Sequence, residues 1–326
     1  TSHMQEGLVL LNESGAVLSI NAAACRVFGT GESCLGQDFL TVDRGRDVSD
    51  ALASAMDAGH SEVRVQRLGR IYQFDISRIQ SGPDTLGAVL LAFDITQQET
   101  AEQSRREFTA NVSHELKTPL QGIIGSAELI ENGLVKQEDL PRFVGHIRRE
   151  AQRLVALIGD IIRLSQLDEG DPLPWEQVDI PALCRDIAAD LRDKAEKSQV
   201  SLTVEGQDVQ AEGVRRLLHE TIYNLCDNAI GYNVPGGSVR VTVSDAGENA
   251  VISVADTGIG IAPEHQPRIF ERFYRVDKSH SKASGGTGLG LSIVKHAVAY
   301  HHGTVQLESQ PGKGTTITVT IPRKQS

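Results

Sequence analysis

Two long stretches with helical spacing of apolar residues dominate the middle of the chain and constrain its fold most. The first stripe consists of Phe108, Val112, Leu116, Leu120, Ile123, Ala127, Ile130 and Leu134. The second consists of Leu140, Phe143, Ile147, Ala151, Leu154, Ile158, Ile161 and Leu164. Such spacing predicts amphipathic helices, and the break at Asn132-Gly133 makes them an antiparallel hairpin. Because one hairpin cannot cover all of this apolar surface, we expect a homodimer that forms a four-helix bundle.

The residues before the hairpin predict short strands. Five strands are expected, at 8–11, 17–20, 62–66, 72–79 and 88–93. A helix is predicted at 22–28, after the second strand. This order of strands and helices resembles a PAS sensor domain over about residues 5–95. The string Phe93-Asp94-Ile95-Thr96 is similar to the ending with which PAS domains pass into a signalling helix. A generic small α+β domain is the alternative.

A third segment follows the linker Asp171-Pro172-Leu173-Pro174, where both prolines oppose helix continuation. Helices are predicted at 180–197, 214–230 and 289–302. Strands are predicted at 200–204, 239–243, 251–255, 305–307 and 316–321. The alternation predicts an α/β sandwich. We therefore expect a multidomain α+β protein with domains at 5–95, 96–170 and 175–323.

The charge and the cysteines narrow the class of function. A net charge of -11 without a long basic run argues against nucleic-acid binding. The four cysteines form no CxxC pair, which is typical of a reducing, cytoplasmic compartment. The start, Thr1-Ser2-His3-Met4, looks like a cloning remnant, so a membrane anchor upstream in the full-length protein stays an option.

His114 is the most distinctive polar residue of the first predicted helix. It lies about 200° from Val112 on the helical wheel, so its ring should project away from the apolar stripe. Glu115 flanks it, where a carboxylate can orient the imidazole or take its proton, and Thr118 lies one turn later on the same side. The run from His114 to Leu120 closely resembles the phosphoacceptor box of sensor histidine kinases.

Two motifs of the third segment have chemistry suited to a nucleotide. Glu220, Asn224 and Asn228 form a polar row on one predicted helix, and amide oxygens are suitable ligands for Mg²⁺ bound to phosphates. The string Asp256-Thr257-Gly258-Ile259-Gly260 follows a strand. Its carboxylate can accept a hydrogen bond from an exocyclic amine, and its glycines allow the backbone to approach a planar ring.

A glycine-rich loop precedes the last predicted helix. The loop Gly286-Thr287-Gly288-Leu289-Gly290 would direct free backbone N–H groups at bound phosphates. A polar stretch before it, 276–285, predicts a mobile lid that brings Arg275 and Lys278 toward the phosphates. The spacing differs from that of a Walker A loop.

Together with Phe270-Glu271-Arg272-Phe273-Tyr274-Arg275, which resembles the F box, these motifs resemble in chain order the N, G1, F and G2 boxes of histidine kinases with the GHKL ATP-binding fold, over about residues 100–322. The resemblance implies ATP and Mg²⁺ as cofactors, with Asn228 as metal ligand and Asn224 beside it. It also implies that Asp256 recognises the adenine amino group and places Tyr232 in the N box. One departure is Gly231, where the family commonly has lysine.

The resemblance implies autophosphorylation of His114 and transfer of the phosphoryl group to an aspartate of a response regulator receiver domain. We further expect phosphatase activity toward that regulator, with Thr118 holding the attacking water. An ATPase that drives a conformational clamp is one alternative. A nucleotide-binding scaffold that has lost phosphotransfer is another, and Gly231 is its only support. The signal sensed, and whether phosphorylation occurs within or between subunits, stay open.

Overall fold

The computed structural model describes residues 5–169, 173–276 and 286–324. Residues up to Ala110 form one compact unit, and those from Asn111 onward form a second. Among the described residues, no helix combines the length and the apolar character needed to cross a membrane.

The first unit contains an antiparallel sheet of five strands. The strands are β1 Gly7–Asn12, β2 Val17–Ile20, β3 His60–Arg67, β4 Arg70–Ser81 and β5 Asp84–Asp94, in the spatial order β2-β1-β5-β4-β3. Three helices separate β2 from β3, namely α1 Ala22–Phe28, α2 Phe39–Val42 and α3 Arg46–Ala58. The predicted five-stranded sheet with helices after its second strand is confirmed.

Aromatic side chains fill the core of this unit. Phe39 and Phe74 are fully buried. Phe28 contacts the Phe39 ring edge-on, with 5.2 Å between centroids. Arg67 lies over the Phe28 ring and forms an ion pair with the buried Asp43. The helices are thereby held on one face of the sheet.

Helix α4, Thr96–Glu131, begins directly after β5. Oδ1 of Asp94 accepts hydrogen bonds from the backbone N–H of Thr96 at 3.1 Å and from its hydroxyl at 2.6 Å. Oδ2 of the same carboxylate pairs with Nη1 of Arg70 at 2.8 Å. These bonds explain the similarity of the Asp94-Ile95-Thr96 string to a strand-to-helix junction, since they satisfy donors that a helix start leaves unpaired.

Helices α4 and α5, Leu140–Glu169, form the predicted hairpin. Helix α4 continues through Pro119 and ends at Glu131, just before the predicted break. The apolar stripes are not continuously buried within one chain. Exposed apolar side chains include Leu120 (47%), Leu134 (71%) and Val155 (71%). An apolar surface of this kind is typical of an interface.

The rest of the second unit is an α/β sandwich. Its helices are α6 Ile180–Asp190, α7 Arg192–Lys197, α8 Arg215–Gly231 and α9 Gly290–Tyr300. Its strands are β6 Glu176–Asp179, β7 Ser201–Gly206, β8 Gln210–Gly213, β9 Ser238–Ala246, β10 Asn249–Asp256, β11 Thr304–Gln310 and β12 Gly314–Pro322. The order of the main sheet is β11-β12-β10-β9-β7, and β6 pairs separately with β8.

Most predicted elements of this sandwich are confirmed, with two corrections. The single helix expected over 180–197 is divided at Leu191 into α6 and α7. The short β6–β8 pair was not predicted. Alternate residues of the main sheet, such as Val241 and Ile252, pack with the buried residues of α6, α8 and α9 in one core.

The linker after α5 packs on the sandwich rather than standing free. The backbone N–H of Leu173 donates to the hydroxyl of Tyr300 at 3.2 Å. Trp175 stacks on the Tyr300 ring with 5.7 Å between centroids. Leu167, near the end of α5, joins the same apolar cluster. Residues 171 and 172 of the predicted linker lie outside the described residues.

Candidate active site

His114 lies midway along α4 with its side chain exposed, as the helical wheel predicts. Thr118 is exposed one turn later, and its hydroxyl donates a hydrogen bond to the carbonyl oxygen of His114 at 3.2 Å. This local bond uses the hydroxyl proton. The oxygen of Thr118 keeps lone pairs that can accept a hydrogen bond from another group.

Glu115 is half-buried on the inner side of the hairpin. Its Oε2 lies 3.4 Å from Nη2 of Arg153 on α5, whose side chain is 13% exposed. The contact is long for a hydrogen bond, so its attraction is mainly electrostatic. Arg153 thereby restrains the carboxylate that neighbours His114. The sequence analysis missed Arg153, because no local pattern marks a partner on the second helix.

Asn224 and Asn228 are half-buried on α8. A β-carbon added at Gly290 would lie 3.1 Å from Oδ1 of Asn224, so this amide touches the start of α9. At the other end of α8, the carbonyl oxygen of Tyr232 accepts the backbone N–H of Ile259 at 3.1 Å. The part of α8 from Asn224 to its C-terminal end therefore lies between the glycine-rich loop and the Asp256 turn, and it includes Asn228.

Glu220, the first member of the polar row, pairs with cations of α5 and α8. Its Oε1 lies 3.2 Å from Nε of Arg163 on α5 and 3.7 Å from Nε of Arg216. A cation from the hairpin therefore neutralises Glu220 in this structure. Burial raises the pKa of this carboxyl, and the charge of Arg163 opposes the rise.

Asp256 is half-buried at the end of β10. Its Oδ1 accepts backbone N–H bonds from Gly258 at 2.8 Å and from Thr315 at 3.2 Å. Burial raises the pKa of the Asp256 carboxyl, while these two bonds act in the opposite direction. Since both bonds go to Oδ1, the second carboxylate oxygen is left for a ligand as far as the described residues are concerned.

The glycines of the Asp256 turn have a packing role within the protein. A β-carbon at Gly258 would lie 2.4 Å from the carbonyl oxygen of Tyr232. Gly260 has φ +67°, and a β-carbon there would lie 2.0 Å from the carbonyl oxygen of Gln310. Both positions therefore require glycine because neighbouring backbone approaches them, whatever ligand binds.

The glycine-rich loop is held from two sides. Gly288 has φ +76°, and its carbonyl oxygen accepts the backbone N–H of Phe273 at 2.9 Å. Thr287 accepts the N–H of Leu289 at 3.3 Å and donates its hydroxyl to Oδ2 of Asp160 on α5 at 2.6 Å. Leu289 is fully buried, so its side chain is part of the core rather than of a ligand surface.

Arg275 lies against this loop. A β-carbon at Gly288 would be 3.3 Å from Nε of Arg275. Burial lowers the pKa of the guanidinium, and the charge of Glu115 raises it, which places Arg275 within the field of the acceptor helix. Its Nη2 is buried and has no hydrogen-bond partner among the described residues. Lys278, the other predicted lid cation, lies outside those residues.

Gly231 and Tyr232 end the N-box helix in exposed positions. A β-carbon at Gly231 would meet nothing within 4 Å. The structure therefore has room for a side chain at this position, and the lysine that is common in the family would fit. Tyr232 is 44% exposed.

The polar groups of this site fit a nucleotide with its metal ion. A carboxylate oxygen at one end can accept from an exocyclic amine, and the start of α9 at the other end supplies N–H donors for phosphates. Asn224 and Asn228 lie between them with amide oxygens suited to Mg²⁺. Three charged residues of α5 also border the site and were not predicted from the sequence, namely Asp160, Arg163 and Arg153.

Family models match both functional segments. The His Kinase A (phospho-acceptor) domain matches residues 104–170. The histidine kinase-, DNA gyrase B-, and HSP90-like ATPase matches residues 213–325. These matches cover the hairpin and most of the α/β sandwich.

Curated relatives are similar over most of the chain. The sensor-like histidine kinase SenX3 of Mycolicibacterium smegmatis is 37% identical over 286 residues, which cover 86% of this chain and 72% of that protein. The sensor histidine kinase WalK of Bacillus subtilis is 31% identical over 336 residues, covering 99% and 54%. The chain thus spans about half the length of WalK.

A solved structure has a similar fold. It is the crystal structure of histidine kinase ThkA in complex with response regulator protein TrrA, with a TM-score of 0.56 and 21% identity. The likeness covers 98% of this chain and 96% of that one. The matches to the phospho-acceptor and ATPase families, together with the similarity to these relatives, show the family of this chain. The chain belongs to the sensor histidine kinase family of two-component systems.

Proposed function

We propose that this chain uses ATP to phosphorylate its own His114. The observation that carries the proposal is an exposed His114 on α4, with Glu115 beside it, in the same unit as a glycine-rich loop at the start of α9. In the transfer, an imidazole nitrogen forms a bond to the γ-phosphorus as the bond to the ADP oxygen breaks. Glu115 orients the ring or accepts its proton.

Incubation with γ-labelled ATP tests this function. The labelled protein should lose its label in acid and keep it in base, which is the behaviour of phosphohistidine. His114→Ala should bind ATP normally and take up no acid-labile label. Persistent acid-labile labelling of that variant would contradict the assignment. The same assay separates a kinase from an ATPase clamp and from an inactive scaffold.

The two ends of the nucleotide are assigned to different residues. We place adenine at Asp256 with Gly258 and Gly260, and the phosphates at residues 287–290 with Arg275 and Lys278. Mg²⁺ belongs to Asn228 and Asn224, near Tyr232; bound there, it would neutralise phosphate charge. Asn228→Ala should weaken Mg²⁺-dependent affinity, whereas Asp256→Asn should weaken the preference for adenine over guanine. Equal losses in both titrations would instead indicate unfolding.

The partner that receives the phosphoryl group is proposed to be a response regulator. The solved ThkA structure contains the response regulator TrrA, and the exposed side of α4 around His114 is available for such a receiver domain. Transfer of label from phosphorylated protein to a purified receiver domain would test this partner. A receiver whose phosphorylatable aspartate is replaced by asparagine is the matched control.

The first unit is proposed to be a PAS-like sensor, supported by its strand order and by its junction with α4. The domain limits that we propose are 5–95, 96–170 and 175–323. The exposed apolar side chains of α4 and α5 support a homodimer through 96–170.

We also propose that the protein dephosphorylates its partner, with Thr118 as the residue that matters. The oxygen of Thr118 can accept a hydrogen bond from a water aligned with a phosphoaspartate docked on α4. Thr118→Ala should therefore spare autophosphorylation and slow dephosphorylation of the regulator in the presence of ADP. Equal decay rates with both proteins would leave Thr118 only its bond to the His114 carbonyl.

A further inference from the structure

A carboxylate of the hairpin occupies the loop that should receive phosphate. Oδ2 of Asp160 accepts the Thr287 hydroxyl at 2.6 Å, and the Asp160 side chain is 16% exposed. Thr287 is part of the glycine-rich loop, next to the start of α9. Such a helix start attracts anions through its N–H groups and its dipole. In this arrangement, the anion next to the loop is a side chain of the protein.

Charged partners hold Asp160 in place. Nη1 of Arg163 lies 2.9 Å from Oδ1 of Asp160, and Nε of the same guanidinium lies 3.2 Å from Glu220 on α8. One turn of α5 thereby binds both α8 and the glycine-rich loop. Arg216 of α8 adds a hydrogen bond to Gln166 of α5 at 2.9 Å. We call Asp160, Arg163, Glu220 and Thr287 the Asp160 latch.

The latch includes unfavourable features that make it releasable. Oε2 of Glu220 is buried and has no hydrogen-bond partner among the described residues. Burial also raises the pKa of the carboxyls of Asp160 and Glu220, so both groups would be better solvated after release. Separation of α5 from the sandwich would return these oxygens to water. Two arrangements of similar free energy are what a switch requires.

We propose that Asp160 is an internal competitor for the phosphate groups of the nucleotide. The proposal rests on the proposed function of the 286–290 loop in phosphate binding. A polyphosphate placed beside the Asp160 carboxylate would meet a like charge in a partly buried site, where repulsion is weakly screened. Docking of α5 and binding of ATP therefore oppose each other. The latched arrangement is a resting state of the kinase.

Nucleotide titrations of Asp160→Asn test the competition. Asparagine keeps an oxygen for the Thr287 hydroxyl and removes only the charge. A non-hydrolysable ATP analogue should bind about 5- to 150-fold more tightly to this variant, the usual range of coupling between sites. ADP should gain less, and adenosine should gain nothing. Glu138→Gln is the control, because it removes one negative charge from a side chain that is 77% exposed.

The result that would overturn the latch is an analogue affinity unchanged by Asp160→Asn while wild-type protein binds adenosine. An equal gain for adenosine would also overturn it, because adenosine has no phosphate to be repelled. If wild-type protein bound none of the three ligands, the proposed function would fail as well. The two failures are therefore distinguishable by adenosine binding.

A second readout follows α5 itself. Trp175 is the one tryptophan in the sequence, and it packs with Tyr300 and with Leu167 near the end of α5. The analogue should shift the emission of Trp175 in wild-type protein, whereas adenosine should not. Arg163→Met, which removes both ion pairs of the latch, should show the shifted emission before any nucleotide is added. Identical spectra in all these states would contradict displacement of α5.

Discussion

At the scale of single residues, Gly231 offers a direct test of the phosphate site. A β-carbon there meets nothing within 4 Å, so Gly231→Lys should be tolerated. The added ammonium should tighten ATP binding by about 2- to 5-fold, since an exposed charge pair contributes up to about 1 kcal/mol. Calorimetric titration measures this change. Gly231→Ala is the control for helix propensity, and equal affinities of the two variants would contradict a phosphate contact from this position.

Glu115 should matter for the rate of autophosphorylation rather than for nucleotide affinity. Glu115→Gln keeps the shape of the side chain and removes its charge. We expect autophosphorylation to slow by about 10²- to 10⁴-fold if the carboxylate accepts the proton of His114. Single-turnover labelling at saturating ATP measures the rate. A rate within twofold of wild type would leave Glu115 only its pairing with Arg153.

His301 should make stability depend on pH. The ring is fully buried, its Nε2 lies 2.9 Å from the backbone nitrogen of Val214, and its Nδ1 lies 2.7 Å from the carbonyl oxygen of Ala297. This pattern needs a neutral imidazole that accepts at Nε2. Burial lowers the pKa of His301, while the Ala297 bond acts in the opposite direction. The unfolded chain therefore binds the proton more readily than the folded one.

The resulting stability is present above pH 6.5 and is lost as the pH falls below it, by up to about 1.4 kcal/mol per unit. Urea unfolding at pH 7.5 and pH 5.5 would measure the loss. The carboxyls of Asp160, Glu220 and Asp256 also titrate, so the informative quantity is the difference between wild type and His301→Gln. A pH dependence that is the same in both proteins would contradict the role of His301.

Residues of the site differ in how well sequence predicted them. The exposure of His114 follows from helical periodicity, which is local. Asp160, Arg163 and Arg153 were missed because their roles depend on contacts between α5 and distant elements. The partners of Glu220 were missed for the same reason, since a polar row on a helix does not reveal which neighbour reaches each member.

At the scale of elements, the start of α4 depends on Asp94. Its carboxylate accepts two hydrogen bonds from Thr96, and these bonds lower its pKa. Asp94→Ala should speed amide exchange in residues 96–100 by about 3- to 10-fold, as expected for a lost cap of about 1 kcal/mol. Hydrogen exchange read by mass spectrometry would measure it. Exchange in α9 should stay unchanged, and uniform acceleration would indicate global destabilisation instead.

The elements that sequence missed share a lack of local signal. The helix predicted over 180–197 breaks at Leu191 without glycine or proline. Strands β6 and β8 have four residues each and mixed polarity, so they show no alternation long enough to detect. The longer strands of the sandwich were predicted correctly from the sequence. Their alternate residues are buried in one core, so apolar and polar residues alternate along them.

At the scale of the whole molecule, a dimer is expected. Val155 on α5 is 71% exposed within one chain, and Leu120 on α4 is 47% exposed. Light scattering at micromolar concentration should give twice the 35.2 kDa of the chain. Val155→Glu should lower that mass toward the monomer, because a charge would be buried in the interface.

Leu68→Glu is the matched control for this change, since Leu68 is 90% exposed in the first unit, outside the hairpin. It should leave the mass unchanged. A wild-type mass near 35.2 kDa would contradict dimerisation and would exclude phosphorylation between subunits under those conditions.

The continuity of α4 has a consequence for recombining such proteins. The helix runs without a break from Thr96 past His114. About five turns separate these residues, so the helical repeat sets the angle about the helix axis between their side chains. In a chimera joined within this stretch, one added residue would rotate His114 by about 100° about the helix axis relative to Thr96, whereas seven added residues would change that angle by only about 20°.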